Sequence, residues 1–366
     1  MKSNKNIFML INDLSIGGAQ RVFISLANYL YKNGYEVKIL VQNLENPVYI
    51  KDINNDIEVI SLEVNSTKKM LPKLYKFFKY EHCDMCIPFS PELAVDLILI
   101  RQFLNVDFYI VGRCINTLSL DFKYAKSFFR KYISKLLVKI FYHRIDYVIS
   151  QSIGMKEDLI KNFGFKGSKV FVINNPLSMH FESEISKDID FIKKDYDFLF
   201  VGRFEHQKGL KMLIDAFDQL DANFKLFLVG EGSEKRILQE YISSKKLDNR
   251  IFIKQFSEDI IPIYNRSKVS VLSSYYEGFP NVLIESIACG TPVVSFDMPS
   301  GADEIIQDDI NGYLVDYLDV DSFALAMHKA VLKKWNYNDV KKTALKYKSN
   351  NILDEYIDLI DMILMK

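Results

Sequence analysis

Arg203 and Lys208 flank the entry to a helical pattern that follows the apolar run Asp197–Val201. Two cations in that position form a diphosphate clamp, the guanidinium bidentate and the ammonium as a point charge. Gly202 just before them lets backbone approach a ligand closely. A solvated loop with ordinary surface charges is the plain alternative, and His206 between the two cations reads as a loop residue. A second constellation holds Glu277 and Glu285, with seven residues between the carboxylates. Glu277 lies in a loop with Gly278 and Phe279, and Pro280 suits a first helical turn. Glu285 then falls more than one turn into the helix. An acid in the loop suits sugar hydroxyls, the deeper one suits ribose hydroxyls, and the N–H groups of Asn281 and Val282 would face a phosphate. Gly17-Gly18 opens another helix and suits either an anion or a tight turn, and Pro299-Ser300-Gly301 opens a further one.

These segments must be positioned by strands, and the chain alternates strand and helix patterns from its start. Buried-strand runs are expected at Ile7–Ile11, Glu36–Val41, Ile57–Leu62, Met85–Phe89, Phe108–Val111, Tyr147–Ser150 and Val170–Ile173. Residues 178–190 are polar and acidic without clear periodicity and read as an interdomain linker. The pattern restarts with strands at Asp197–Val201, Phe224–Val229, Ile251–Ile253, Val269–Ser273 and Val293–Phe296, and helices at Leu210–Leu220, Glu234–Lys245 and Asn281–Ala288. Such alternation implies parallel sheets with crossover helices, which bind ligands at the C-terminal ends of the strands. Two domains are expected, 1–178 and 190–349. An amphipathic tail helix over Asn351–Met365 must dock on something, with the first domain as its candidate.

The 366 residues are 49% hydrophobic and 26% charged, a globular composition. Lys+Arg 47 balance Asp+Glu 47, so bulk attraction to nucleic acid is not indicated. The balance hides an asymmetry. Residues 1–190 hold 25 Lys+Arg against 20 Asp+Glu, a net of +5, which leaves −5 for the remainder. Only the front half is therefore expected to meet something anionic. The start is not a signal peptide, and no run reaches the ~18 apolar residues of a spanning helix. A soluble or peripheral protein, cytosolic by default, is the expectation. Cys83 and Cys86 form an isolated C-x-x-C that reads as structural, since Cys114 and Cys289 stand alone.

Taken in order, the strand-GR-x4-KG segment, the E-x7-E segment followed by A-x-G-x-P-V-V, and the PSG-x2-EII loop resemble retaining glycosyltransferases of the GT-B fold. The nearest group is glycosyltransferase family 4, in the subgroup that builds bacterial surface polysaccharides. The likeness covers Phe198 to about Val315, and in the front half Gly17-Gly18-Ala19-Gln20-Arg21. It implies two Rossmann-like doubly wound domains facing across a cleft. Arg203 and Lys208 would neutralise a nucleotide-sugar diphosphate. Glu277 would contact the transferred sugar and Glu285 the ribose, while Gly17 and Gly18 would approach the donor from the first domain. No metal or other cofactor is implied, and no protein nucleophile. Many relatives carry a His after the strand corresponding to Phe108–Val111; here Gly112-Arg113-Cys114-Ile115-Asn116 follows. Arg113 and Asn116 are the expected contacts for the donor sugar or the acceptor.

The segment 122–144 contains Lys126, Arg130, Lys131, Lys135 and Lys139, with no acid between Asp121 and Asp146 and with aromatics interleaved. A second basic segment runs from Lys68 to Lys79. Such helices lie in the interface of anionic membranes. A helix packed on the sheet with a solvated basic face is the alternative. The expected partners are a UDP-linked sugar, a lipid-linked saccharide and the inner face of the cell membrane, with no nucleic acid. Rival functions on a similar fold are a nucleotide-sugar epimerase or a non-catalytic nucleotide-sugar binding module. A dehydrogenase is disfavoured because no G-x-G-x-x-G follows the first strand.

Overall fold

The structure, a computed structural model, describes residues 5–15, 17–45, 47–66, 69–125, 127–187, 193–255 and 259–365. The chain divides into two compact units, Met1–Pro176 with Asn350–Lys366, and Leu177–Ser349. In the first unit, strands β1 (Asn6–Ile11), β2 (Glu36–Val41), β3 (Glu58–Ser61), β4 (Met85–Pro88), β5 (Tyr109–Arg113), β6 (Tyr147–Ser150) and β7 (Val170–Val172) form a sheet of order 3-2-1-4-5-6-7. In the second, β8 (Tyr196–Val201), β9 (Leu226–Val229), β10 (Ile251–Lys254), β11 (Ser267–Leu272), β12 (Val293–Phe296) and β13 (Gly312–Val315) form a sheet of order 10-9-8-11-12-13. Every strand pairing is parallel. Crossover helices cover both faces, so the strands are apolar on both sides and read as near-continuous hydrophobic runs. All strands expected from the sequence are present, with ends shifted by two residues at most. β13 is an addition.

Residues 179–185 correct the linker expected over 178–190. They form a helix, Met179–Ile185, belonging to the second unit. It buries Phe181 against Tyr264, with ring centroids 6.0 Å apart. It also buries Glu184, whose carboxylate accepts from Asn265 at 3.0 Å and pairs with Lys187. Asp188, Ile189 and Asp190, the end of that stretch, lie outside the described residues.

The tail helix, Ser349–Leu364, packs on the first unit. It buries Ile352, Leu353, Tyr356, Ile357, Leu359, Ile360 and Ile363, which contributes on the order of 10 kcal/mol gross. Polar contacts set its register. Tyr29 and Tyr35 donate to Asp354 and Asp361, and Arg113 Nε donates to the Tyr356 hydroxyl at 2.8 Å. Arg113 Nη2 donates to Asn175 Oδ1 at 2.6 Å, and its guanidinium lies 4.8 Å over the Phe89 ring.

Cys83 and Cys86 are free thiols whose sulfurs lie 3.4 Å apart at the start of β4. Burial, followed by the contact with Cys83, pushes the Cys86 thiol well up from its ordinary value. That suits packing rather than thiolate chemistry.

Tyr356→Phe leaves Arg113 Nε buried without its acceptor, at a cost of about 2 kcal/mol. Amide hydrogen exchange in residues 349–364 is expected to accelerate about 30-fold; unchanged exchange would contradict the anchoring role of this contact.

Candidate functional site

Sheet order in the second unit reverses between β8 and β11, which are neighbours although three segments apart in sequence. At such a switch point the outgoing loops turn to opposite faces and leave a crevice at the strand ends. β8 delivers Gly202 and Arg203 into it, and β11 delivers Ser273 to Glu277.

The two loops are knitted backbone to backbone. The β8 loop passes through one tight turn, His206–Lys208, to Gly209. Gly209 is left-handed at φ 59°, and a Cβ there would sit 2.2 Å from the Ser273 carbonyl oxygen. Only glycine permits both the dihedral and the approach. Tyr275 N donates to the Gln207 carbonyl at 2.8 Å. Gln207 Nε2 donates to the Tyr276 carbonyl at 2.8 Å, and Ser273 Oγ to the Lys208 carbonyl at 2.9 Å. The His206 ring stacks on Tyr275, with centroids 4.9 Å apart and planes 14° apart, consistent with its reading as a loop residue.

This lacing brings Lys208 Nζ to 2.6 Å from Glu277 Oε1, with side chains 12% and 10% exposed. Ser274 Oγ donates to the same carboxylate oxygen at 2.6 Å. The loop after β12 adds Ser300, whose hydroxyl donates to the Glu277 carbonyl. Neither Ser274 nor Ser300 was a candidate from sequence. The signals available were a polar pair, Ser273-Ser274, at the end of an apolar strand and, for Ser300, the Pro299-Ser300-Gly301 loop, which was singled out without a role for the serine. Largely removed from water, the Lys208–Glu277 attraction is stronger than at an open surface.

The other expected donor residues fall as follows. Gly202 follows β8 directly, and Arg203 beside it is exposed. Gly202 is hemmed in by the next loop, since a Cβ on Gly230 would lie 1.9 Å from its carbonyl oxygen. Gly278 is buried in the loop. Phe279, also expected at the donor, turns its side chain away from the loop surface. The ring is buried in the core, edge-on to Tyr347 at 5.6 Å. Asn281 and Val282 are half-buried in the first turn of the helix Asn281–Ala288. The Asn281 N–H already donates to the Phe279 carbonyl at 2.9 Å, so it is not directed at a phosphate. Glu285 is buried on the same helix.

Gly17 and Gly18 lie in the first unit, after β1. Gly17 is extended and caps the helix Gly18–Lys32, with Arg21 N donating to its carbonyl at 3.1 Å. Asp13 organises this turn, accepting from Ser15 N at 3.0 Å and Gln20 Nε2 at 3.1 Å. Arg113 is corrected outright. It is fully buried, and Tyr356, Asn175 and Phe89 surround its guanidinium, so it presents no surface to a ligand. Asn116 is half-buried and accepts from Thr117 N at 3.1 Å. A cavity of about 350 Å³ lined by Asn6, Glu36, Lys38 and Glu81 lies at the opposite edge of this sheet, where strands begin, and brings together none of the candidate residues.

The basic segment winds as a π-helix, Phe129–Ser134, continuing into the α-helix Lys135–Phe141. Ser134 and Val138 face inward, while Phe128, Tyr132, Leu136 and Ile140 are 73%, 54%, 55% and 42% exposed. Lys131, Lys135 and Lys139 are exposed beside them. Arg130 is exposed as well, but it is not a free cation. It is ion-paired to Asp121 at 2.7 Å and to Glu92 at 3.7 Å, tying the helix to its own unit. Lys126 and Lys68 lie outside the described residues. The helix Met70–Phe78, which carries exposed Lys73 and Lys76, and the helix Lys135–Phe141 both pack against Pro91–Leu104 and so share one side of the sheet. Among the described residues no helix is long and apolar enough to cross a membrane.

Comparison with known proteins agrees with this architecture. Residues 16–180 match the family described as Glycosyltransferase Family 4, and residues 181–347 match Glycosyl transferases group 1. The chain is 27% identical to the N-acetylgalactosamine-N,N'-diacetylbacillosaminyl-diphospho-undecaprenol 4-alpha-N-acetylgalactosaminyltransferase of Campylobacter jejuni, over 84% of this chain and 85% of that protein. It is 29% identical to the amylovoran biosynthesis glycosyltransferase AmsD of Erwinia amylovora, over 89% of this chain and 90% of that one. Anabaena HepE in complex with UDP superposes with a TM-score of 0.78 at 18% identity, covering 98% of this chain and 100% of that chain. Two parallel doubly wound sheets with these likenesses define a glycosyltransferase of the GT-B fold. Within that class, the chain belongs to glycosyltransferase family 4.

Gly209→Ala forces a left-handed alanine against main chain. The dihedral alone costs about 1–3 kcal/mol. The single tryptophan, Trp335, is buried in the core of this unit, so its fluorescence should report a lowered urea midpoint. An unshifted midpoint would mean the two loops are not locked together.

Proposed function

We propose that the protein is a retaining, metal-independent glycosyltransferase that moves a hexosyl or N-acetylhexosaminyl group from a UDP-sugar to a lipid-linked saccharide. The product belongs to a bacterial surface polysaccharide, such as capsule or O-antigen. The observation that carries this reading is the Lys208–Glu277 pair at the β8–β11 switch point, a cation and an acid 2.6 Å apart where a phosphate and a sugar would meet. The UDP held by the Anabaena structure and the diphospho-undecaprenol in the name of the Campylobacter relative support the donor and acceptor classes.

In this reading Arg203 and Lys208 bind the diphosphate, and their charge stabilises it as it leaves. Glu277 accepts hydrogen bonds from hydroxyls of the transferred sugar, and Glu285 from the ribose. The new bond forms on the face of the sugar that the diphosphate leaves, without a protein nucleophile. Because the two cations supply the electrostatic stabilisation, no metal is required.

Purified enzyme incubated with a panel of nucleotide sugars and a polyprenyl-diphosphate saccharide should yield an acceptor heavier by one sugar in mass spectrometry. The rate should survive EDTA. Arg203→Ala and Glu277→Ala should each lower it about 100-fold or more, with folding intact. Retained transfer in both variants would remove the site assignment, and UDP binding without transfer to any acceptor would favour the epimerase or binding-module reading.

The exposed apolar face of 128–140, flanked by Lys131, Lys135 and Lys139, is proposed to lie in an anionic membrane surface, where each cation contributes ~1 kcal/mol. Cosedimentation with vesicles containing phosphatidylglycerol should fall about 100-fold on changing all three lysines to Glu, and should weaken with salt. Equal binding to neutral vesicles, or no effect of the triple change, would refute it.

A further inference from the structure

We infer that Ser274 is a positioning residue that keeps the Glu277 carboxylate aimed while Lys208 turns to the diphosphate, an inference that rests on the donor-site reading above. Ser274 follows β11 and is fully buried. Its hydroxyl donates to Glu277 Oε1 at 2.6 Å, the same oxygen that Lys208 Nζ reaches at 2.6 Å. The main chain of Glu277 is held separately, by the Ser300 hydroxyl on its carbonyl. Glu277 is thus fixed at both ends by neutral donors, and Lys208 adds a charge to one end.

The distinction between the two donors matters once a diphosphate is present. An ammonium shared with phosphate oxygens gives Oε1 less attraction than one devoted to it. A glutamate released from its partner regains rotamer freedom, and re-ordering it would then be charged against sugar binding. A hydroxyl has no net charge for the diphosphate to attract, and the buried setting of Ser274 holds it in place. Hydroxyl-to-carboxylate bonds are charge-assisted and stronger than neutral ones, so this one continues to favour the rotamer. Ser274 therefore acts on the sugar through Glu277 and has no part in binding the diphosphate.

That separation supplies the test. Affinities for UDP and for the UDP-sugar turned over by the parent enzyme are measured by calorimetry on full-length Ser274→Ala, Ser274→Cys, Glu277→Ala and the Ser274→Ala/Glu277→Ala double variant, together with kcat. Cysteine keeps the side-chain volume and is a weak donor, so it decides the matter if the alanine variant fails to fold. The expected result is UDP affinity within about twofold of the parent and a loss of about 10- to 100-fold in kcat/KM for the UDP-sugar. The double variant should be no worse than Glu277→Ala alone. Equal losses for UDP and UDP-sugar would assign Ser274 a general structural role and overturn the inference. So would full retention of sugar affinity and kcat, or additive losses in the double variant. A parent protein that binds no UDP would instead indict the donor-site reading itself.

Discussion

The candidate site depends on one constraint, the backbone contact between the loops that leave β8 and β11. Lys208 and Glu277 are 69 residues apart in sequence, and their side chains alone could not order so long a segment. The lacing of Gly209, Gln207, Ser273 and Tyr276 does so first, and the ion pair follows from it. The order of causes matters energetically. A largely desolvated pair is weak evidence for stability, because desolvation offsets much of the attraction. Its existence here is better explained by a scaffold whose main-chain contacts bring the two side chains together. The ion pair is then a preorganised group of charges whose ordering entropy was met by folding.

The first unit is held by a different device. Arg113 is a fully buried cation with two bonded neighbours, Asn175 and Tyr356, and an aromatic face. Asn175 stands one residue before the end of this unit's first segment, and Tyr356 lies in the segment that returns to it. One guanidinium therefore grips both stretches adjoining the points where the chain leaves and re-enters the unit. Arginine suits this work because its planar fork directs several donors in fixed directions. The family resemblance implied a ligand contact for Arg113, but in the fold Tyr356, Asn175 and Phe89 take up its guanidinium. Nothing local to residue 113 announces a helix that begins at Ser349.

The same locality decides what could be read from sequence. Parallel strands buried on both faces are continuous apolar runs, and the turns that follow carry Gly, so Phe198–Val201 and Gly202 were legible together. Lys208 and Glu277, which the fold brings together, stood out in the sequence because charged groups interrupting such a pattern are conspicuous. Helix Met179–Ile185 was not. It buries only Phe181 and Glu184, too few to establish a period, and one of them is charged. The direction of the Phe279 ring was hidden for the opposite reason. It sits among site residues in sequence, while its ring turns into the core. Serine hydroxyls are the least legible of all, since a serine in a loop bonds whatever tertiary structure places beside it.

The basic helix shows how structure divides what composition merges. A net charge of +5 over residues 1–190 treats every cation as equivalent. In the fold, Arg130 is committed to Asp121 and Glu92, Arg101 to Asp146, and Lys38 to Glu81. Each such pair cancels at a distance, so these cations add little to the field beyond about a Debye length. Lys131, Lys135 and Lys139 belong to a segment with no acid in sequence between Asp121 and Asp146, and Asp121 and Glu92 are already paired with Arg130. The uncompensated charge is therefore concentrated beside Tyr132, Leu136 and Ile140, the same few turns that leave apolar side chains in water. Charge and exposed apolar surface on separate parts of a protein would each have a bland explanation. Their coincidence on one helix is the observation on which the proposed contact with an anionic membrane surface rests.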